Sequence, residues 1–379
     1  MRRYSEKLRN VLTGLLLLLI MLGWMVNVKL IQVTKQTIIV PDEQPTIQAG
    51  INAASSGDTV YVKARVYYEN VVVNKSICLI GENRETTIID GQWKSTVISI
   101  IVANVTLDGF TIRNADYHYS GIYLEDASYS VISNNIVTNM TDTLMKSIHL
   151  NRSNFCNLTR NLVTNNGRCI LIEQSHNTTL TYNAVIQNSL YGIRINNSTG
   201  CIVKCNMIAD TYGQSSIRLV SANYTNILEN ILSNATYGVY MFSSHYSNFC
   251  HNNFIRHGQQ VWISDSYNNI WHNASLLEGN YWDDYTGQDL DSNGIGDIPY
   301  VIGMGNLDPY PIMKPWMPML GDLNIDCRVD LQDLVIVAKA YNSTEADPNW
   351  NPLADLVQPY GRISLADLVT VAHNYGKSV

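Results

Sequence analysis

The chain is 379 residues long, 46% hydrophobic but only 15% charged, with a net charge of −7. This hydrophobicity with so little charge excludes a disordered chain. An acidic balance with no Lys/Arg stripe in the sequence argues against nucleic acid as a partner, and the wealth of Tyr, Asn, Ser and Thr suits a β-rich surface facing water or sugar.

At the N-terminus, Arg2, Arg3, Lys7 and Arg9 precede an apolar run from Val11 to Val26 that holds five consecutive leucines, Leu15–Leu19. Residues 1–30 therefore read as a signal peptide or signal-anchor, and the protein as exported, extracellular or at the cell surface. Asn27-Val28-Lys29-Leu30 offers no small-x-small cleavage site, and the run is short for a full span of ~20 residues, so cleavage and membrane anchoring both stay open. Twelve Asn-x-Ser/Thr sequons, from Asn74 to Asn342, are acceptors for glycans in an exported chain, although a composition this rich in Asn, Ser and Thr also generates them by chance.

The folded body opens with Thr37-Ile-Ile-Val-Pro and a stretch in which Pro45 suits the first helical position and Ile47, Ile51 and Ala54 form one apolar face. Such a helix would cap the end of a stacked repeat. Two tracks then run in step. Asn followed by two apolar residues recurs at Asn135, Asn161, Asn183, Asn206, Asn230 and Asn253, at spacings of 26, 22, 23, 24 and 23. The second track is a residue, usually small, followed by apolar-x-apolar. It runs from Gly121-Ile-Tyr-Leu through Ser147, Cys169, Gly192, Ser216 and Gly238 to Gln260-Val-Trp-Ile. Each triplet is a short strand with alternate side chains inward, and no repeat segment carries a helical period. Coils of about 23 residues stacked at strand spacing make a β-solenoid. The expected fold class is all-β, a right-handed parallel β-helix over 37–313, followed by a linker (314–320) and a small α-helical calcium-loop domain (321–379).

The Asn track predicts turn ladders whose amides bond from coil to coil, with a second polar turn track at Asn139, Asn165, Gln187, Asp210, Asn234 and His257. Seven cysteines make no disulfide framework. Cys156 and Cys201 share a column two coils apart, roughly 10 Å, too far to bridge. They read as buried thiols, and Cys250 is assigned to an apolar inward column.

The solenoid closes with Gly279-Asn280-Tyr281-Trp282-Asp283-Asp284-Tyr285, an acidic turn, and Asp308-Pro-Tyr310-Pro311. Together with Tyr67-Tyr68-Glu69-Asn70-Val71, Leu79-Ile80-Gly81, Thr87-Ile88-Ile89-Asp90-Gly91 and Asp108-Gly109-Phe110-Thr111-Ile112, these phrases closely resemble the pectin-lyase-like β-helix proteins of the NosD group, also called carbohydrate-binding and sugar-hydrolase repeats. One departure is Arg65, where the resemblance implies a turn Gly. In the acidic turn, Asp289, Asp291, Asn293, Ile295 and Asp297 place oxygen donors at positions 1, 3, 5, 7 (backbone) and 9, with Gly294 at 6, which is a calcium-loop pattern.

The tail repeats once at an offset of 34, as Leu331/Leu365, Asp333/Asp367, Leu334/Leu368 and Tyr341/Tyr375, giving two short amphipathic helices. Ahead of the first helix, Asp322, Asn324, Asp326, Arg328 (backbone), Asp330 and Asp333 occupy calcium-ligand positions 1, 3, 5, 7, 9 and 12, with Cys327 in place of the turn Gly. This loop and helix resemble a type I dockerin, as in archaeal surface proteins, which implies Ca²⁺ and a cohesin-like partner. The second loop keeps Asp355 and Asp367, but Val357 and Pro359 cannot donate side-chain oxygens.

The outward residues of the apolar-x-apolar strands, Tyr123, His149, Leu171, Arg194, Arg218, Tyr240 and Trp262, predict a column of rings and donors at coil spacing, suited to an extended glycan. Glu125 and Glu173 stand in a neighbouring column two coils apart, about 10 Å, with Asn151 between them, and are the candidates for catalysis. The favoured reading is a cell-surface protein that binds a polysaccharide or glycoprotein glycan along this face and docks through its tail. A hydrolase or lyase carried by a dockerin is the alternative. Copper delivery, which the NosD resemblance implies, is disfavoured because His149, His176, His245, His251, His257 and His272 are assigned to no common track.

Overall fold

In the computed structural model, which describes residues 13, 35–140, 145–317, 319–324, 328–344, 346–357 and 361–378, the repeat becomes coils of three short strands. Ser120–Glu125, Val131–Ser133 and Ile136–Thr138 make one such coil. Its corners are single residues in the left-handed region: Asp126 (φ +50°), Tyr129 (+60°), Asn134 (+54°) and Asn139 (+61°). The next coil repeats them at Arg152, Phe155, Arg160 and Asn165. A left-handed residue costs an ordinary side chain roughly 1–2 kcal/mol, and Asn and Asp tolerate it best. That preference accounts for the polar track Asn139, Asn165, Gln187, Asp210 and Asn234, all with positive φ. Its next corner is Arg256 and not His257. Arg65 begins a strand, Arg65–Tyr67, paired with Thr87, so the departure from Gly costs no turn.

The second strands of successive coils build a ten-stranded sheet from Thr37–Val40 to Asn248–Cys250, so the solenoid has about ten coils. First and third strands join a 17-stranded sheet that bends around the coil, and throughout both sheets the described pairings are parallel. Inward residues such as Ile122, Leu124, Ile132 and Val137 are fully buried. Each contributes ~1.5–3 kcal/mol relative to exposure. Helix α1 (Ile47–Ala53) buries Ile47, Gly50 and Ile51, and is N-capped by Thr46. At its N-terminus the Glu69 carboxylate accepts from Ile47 N (3.0 Å) and Gln48 N (3.0 Å), where the helix dipole favours an anion. The cap expected for the open end is present.

The asparagine ladder runs through the interior. Asn183 Nδ2 donates to Asn206 Oδ1 (2.9 Å) and Asn206 Nδ2 to Asn230 Oδ1 (3.0 Å), while each amide also reaches a carbonyl of the preceding coil. Its members are Asn135, Asn161, Asn183, Asn206, Asn230, Asn252 and Asn280. The sequence pattern placed Asn253 here, one residue too late. Asn253 faces outward and holds the backbone of Trp316 (2.9 and 2.6 Å). The slip also moves Cys250 out of the inward column: it pairs with Leu228 on the outer side and is buried beneath the Glu278 segment. Cys156, Cys169 and Cys201 are buried thiols, and burial pushes Cys156 and Cys201 up to about 11.

Asp308 ends the ladder, accepting from Asn280 N (2.7 Å), Trp282 Nε1 (2.9 Å) and Tyr310 N (3.0 Å). Burial raises its carboxyl pKa, opposed by these donors. Stacked rings, Phe249 on Trp271 (4.0 Å) and Phe254 on Trp282 (4.1 Å), plug the same end of the core.

The tail folds as helices α2 (Leu331–Ala340) and α3 (Leu365–Asn374), each started by a capping box. Asp333 accepts from Leu323 N (2.7 Å), Asn324 N (3.3 Å) and Asp330 N (2.8 Å). Asp367, at the equivalent position, accepts from Leu356 N (2.7 Å), Val357 N (2.9 Å) and Ser364 N (2.7 Å). Solenoid and tail belong to one compact unit, Gln36–Val379. A second core joins them, with Cys205, Ile231 and Ile255 of the solenoid against Leu323, Val337, Trp350 and Leu353. The expected linker is pinned down as well, since Trp316 stacks on His251 (3.6 Å, 4°).

Candidate functional site

The first strands of seven coils carry the outward column in unbroken register: Tyr123↔His149↔Leu171↔Arg194↔Arg218↔Tyr240↔Trp262. The column is half-buried, except for Leu171, which is buried. Its rings lie on one another. Tyr240 stacks on Trp262 (4.2 Å, 9°), Arg218 lies over Tyr240 (3.9 Å), and Tyr123 meets His149 at 5.0 Å. The stacking covers ring faces between rungs and turns edges and polar tips outward. Except at Leu171, polar groups and ring edges at coil pitch, and not open ring faces, are what this surface presents.

Glu125, Asn151, Glu173 and Asn196 form the adjacent column in register. Both carboxylates are engaged. Glu125 accepts from Tyr123 Oη, Arg152 Nη2 and Asn151 Nδ2 (3.1 Å), and Glu173 accepts from Asn196 Nδ2 (3.0 Å) and lies 3.4 Å from His149. An inverting glycosidase needs one free acid and one free base across a gap of ~6.5–9.5 Å, and this column holds both its carboxylates in structural bonds. Burial first, and then Lys146, depresses the His149 pKa to about 4, so the ring is neutral at neutral pH.

The sequence showed no basic stripe, but folding gathers one. Lys146 and Arg168 pair in register near the start of the first strand, beside Arg194 and Arg218 further along it. These residues lie 22, 26 and 24 apart in the chain, so only the coil period reveals them.

Of the metal candidates, the acidic turn binds itself: Asp289 accepts from Asn293 N (3.0 Å) and Gly294 N (2.9 Å), and Asp297 accepts from Leu290 N (2.7 Å). Gly294 has φ +87°, as position 6 requires. In the tail loop Asp322 and Asp333 are buried and Asn324 Nδ2 donates to Gln332 Oε1 (3.2 Å), while Asp326 and Cys327 lie outside the described residues. Among the described residues no group of three or more His, Cys, Asp or Glu is arranged to hold a metal ion.

The histidines need one correction. His176 and His245 do share a turn track, three coils apart, where each Nδ1 accepts a backbone amide of the following coil, from Thr199 (3.1 Å) and Tyr267 (3.0 Å). They are structural acceptors in a turn ladder that also uses Asn154 and Asn223.

Coils, ladders and outward columns define a parallel β-helix of the pectin-lyase-like class. Residues 51–287 match the family described as periplasmic copper-binding protein (NosD), and the chain belongs to that family. A probable ABC transporter binding protein NosD of Stutzerimonas stutzeri is 29% identical over 141 residues, 34% of this chain and 32% of that protein. Its counterpart in Pseudomonas aeruginosa is 30% identical over 122 residues, 32% of this chain and 27% of that protein. The aligned region thus spans about a third of the curated relatives' length. Pectate lyase Pel9A shares the fold at a TM-score of 0.50 and 12% identity, over 63% of this chain and 80% of that one. The alginate lyase of Paenibacillus sp. str. FPU-7 aligns at 0.49 and 12%, over 65% and 97%. The family description accords with the export expected from residues 1–30, which lie, apart from Thr13, outside the described residues. Among the described residues no helix is long and apolar enough to cross a membrane. The copper of the family description does not fit the described residues: His176 and His245 serve turn ladders, His251 stacks on Trp316, and among the described residues no His, Cys, Asp and Glu gather as a donor set.

Proposed function

We propose that this exported β-helix binds a polysaccharide or glycoprotein glycan along its first-strand face, and is held to a cohesin-like partner by a calcium-dependent tail. The observation that carries the first part is the unbroken column from Tyr123 to Trp262, whose edges offer donors at the ~4.8 Å coil pitch. Recognition is then by hydrogen bonds to hydroxyls along an extended chain. An array of neutral and acidic glycans tests it: Tyr240→Ala and Trp262→Ala should each weaken retention, and unchanged retention removes the face from consideration.

Support for the docking part lies in the tail's outer surface. Leu331, Val335 and Tyr341 are 64%, 42% and 48% exposed, and their repeats Leu365, Val369 and Tyr375 are 61%, 54% and 55% exposed. Exposed apolar residues repeated on both helices are suited to a partner. In this proposal Asp322, Asn324, Asp326, the Arg328 carbonyl, Asp330 and Asp333 hold Ca²⁺, which neutralises the buried acids and fixes the loop; the Asp289–Asp297 turn is the second candidate. Calorimetry on the full chain should give a heat with calcium that Asp322→Ala diminishes, and no heat on the wild type would end the calcium reading. Catalysis is not part of the proposal, because Glu125 and Glu173 are both committed to neighbours.

A further inference from the structure

Four consecutive coils each place one cation on the proposed glycan face: Lys146, Arg168, Arg194 and Arg218. Among the described residues none of them has an ion-pair partner, whereas Arg113, Arg152 and Lys204 do. The acceptors they have are neutral. Arg194 Nη1 donates to Tyr191 Oη (3.4 Å) and Arg218 Nη1 to Gln214 Oε1 (3.2 Å). The Nε of Arg168, Arg194 and Arg218 is buried without a hydrogen-bond acceptor among the described residues. Ring contacts hold the guanidinium groups in place, with Arg168 and Arg194 over Tyr191 (5.9 and 5.8 Å) and Arg218 over Tyr240. Burial and the neighbouring Arg168 push the Lys146 ammonium below its ordinary pKa. Cations without a direct ion pair in a partly desolvated surface are costly. A chain of net charge −7 that keeps four of them together leaves a place for an anion.

We infer that the glycan taken by this face is acidic, with carboxylate or sulfate groups on successive sugar residues set against Lys146, Arg168, Arg194 and Arg218. The inference rests on the glycan-binding reading above and names the ligand's chemistry. Within each of the two columns, Lys146/Arg168 and Arg194/Arg218, the cations stand one coil apart, ~4.8 Å, comparable to the length of one pyranose residue in an extended chain. Guanidinium forks suit carboxylate and sulfate oxygens, which accept two parallel N–H bonds. Glu125 and Glu173 flank the cations, in the column that also holds Asn151 and Asn196. Those same carboxylates are acceptors for sugar hydroxyls.

The test uses the full chain and pairs of probes that differ only in charge. Oligogalacturonate is compared with its methyl ester, and a sulfated oligosaccharide with its desulfated form, by calorimetry at low and high salt. We expect an acidic member to bind roughly tenfold or more tightly than its neutral counterpart, with affinity falling as salt rises. The double variant R168Q/R194Q should lose that advantage and keep the wild-type circular dichroism, while R152Q, whose guanidinium is already paired with Glu125 and Asp126, should keep it. Equal binding of charged and uncharged members overturns the inference and leaves the glycan face standing. Binding of neither class overturns both. Single-stranded DNA held as tightly as the acidic sugars overturns the assignment to glycan.

Discussion

Replacing His257 by Asn should make the fold less sensitive to acid. A second, shorter interior ladder uses Asn166 and Asn188. Asn166 Oδ1 accepts from Met140 N (2.9 Å), and the Asn166 and Asn188 amides donate to Val137 O (2.9 Å) and Val163 O (3.1 Å). His257 fills the same role further along: Nδ1 accepts from Ala235 N (3.2 Å) and Nε2 donates to Leu232 O (3.0 Å). Burial depresses its pKa from 6.5 to about 4. At pH 7 the ring is neutral in both folded and unfolded chains and costs nothing. Below 6.5 the unfolded chain takes up a proton that the folded chain refuses, so stability falls with pH until the folded value near 4 is reached. A gap of about 2.5 units corresponds to roughly 3 kcal/mol, of which about 2.5 kcal/mol is lost by pH 4.5. Asn has the same acceptor and donor and no proton to gain. Urea unfolding at pH 7 and pH 4.5 should therefore show H257N losing about 2.5 kcal/mol less than the wild type. Asp308, whose carboxyl burial pushes up, titrates in both proteins and cancels. Equal losses in the two proteins would refute the assignment of the acid response to His257.

Asn206→Leu should cost ~3–5 kcal/mol in unfolding free energy, because Asn206 accepts from Asn183 N and Nδ2 and donates to Leu180 O and Asn230 Oδ1, and removal orphans buried partners. Asp333→Ala should lower the stability of the tail by ~2–4 kcal/mol through three lost amide bonds, with Asp367→Ala doing the same to the second loop; differential scanning calorimetry reads both. Trp350→Ala empties part of the shared core at a cost of ~3–5 kcal/mol, and limited proteolysis should then cut at residues 314–320 while the solenoid stays intact.

The coil period was legible in the sequence because each coil repeats the same task with few residue types. Asn is the side chain that both accepts and donates in the ladder, so it recurs. The error at Asn253 has a physical source in the adjacent Asn252-Asn253 pair, where two identical side chains make the register ambiguous and only the backbone decides which turns inward. The cationic stripe was not legible residue by residue, because its members stand a full coil apart and sit in two columns three residues from each other. The outward column, by contrast, was read correctly as a column, but its rings are stacked rung on rung, a consequence of the coil pitch that a list of residues does not convey.

The docking of the tail had a signal that went unused. In the phrase of Asn and two apolar residues, the first apolar residue points outward. In most coils it is half-buried or small, as Leu162 and Ala184 are, but Met207 and Ile231, with Ile255 two residues further along the next strand, make an apolar outer strip near the end of the solenoid. An outward apolar strip needs cover, and the tail supplies it with Leu323, Trp350 and Leu353, backed by the Arg256 guanidinium on the Trp350 carbonyl. The first-strand face meets no such cover among the described residues. The solenoid therefore commits its third-strand face to holding the tail, and its first-strand face, with Lys146, Arg168, Arg194 and Arg218, stays uncovered among the described residues. In the proposed function the glycan and the docking partner would then use different residues, Arg168, Arg194 and Arg218 on the first-strand face and Leu331, Val335, Leu365 and Val369 on the tail.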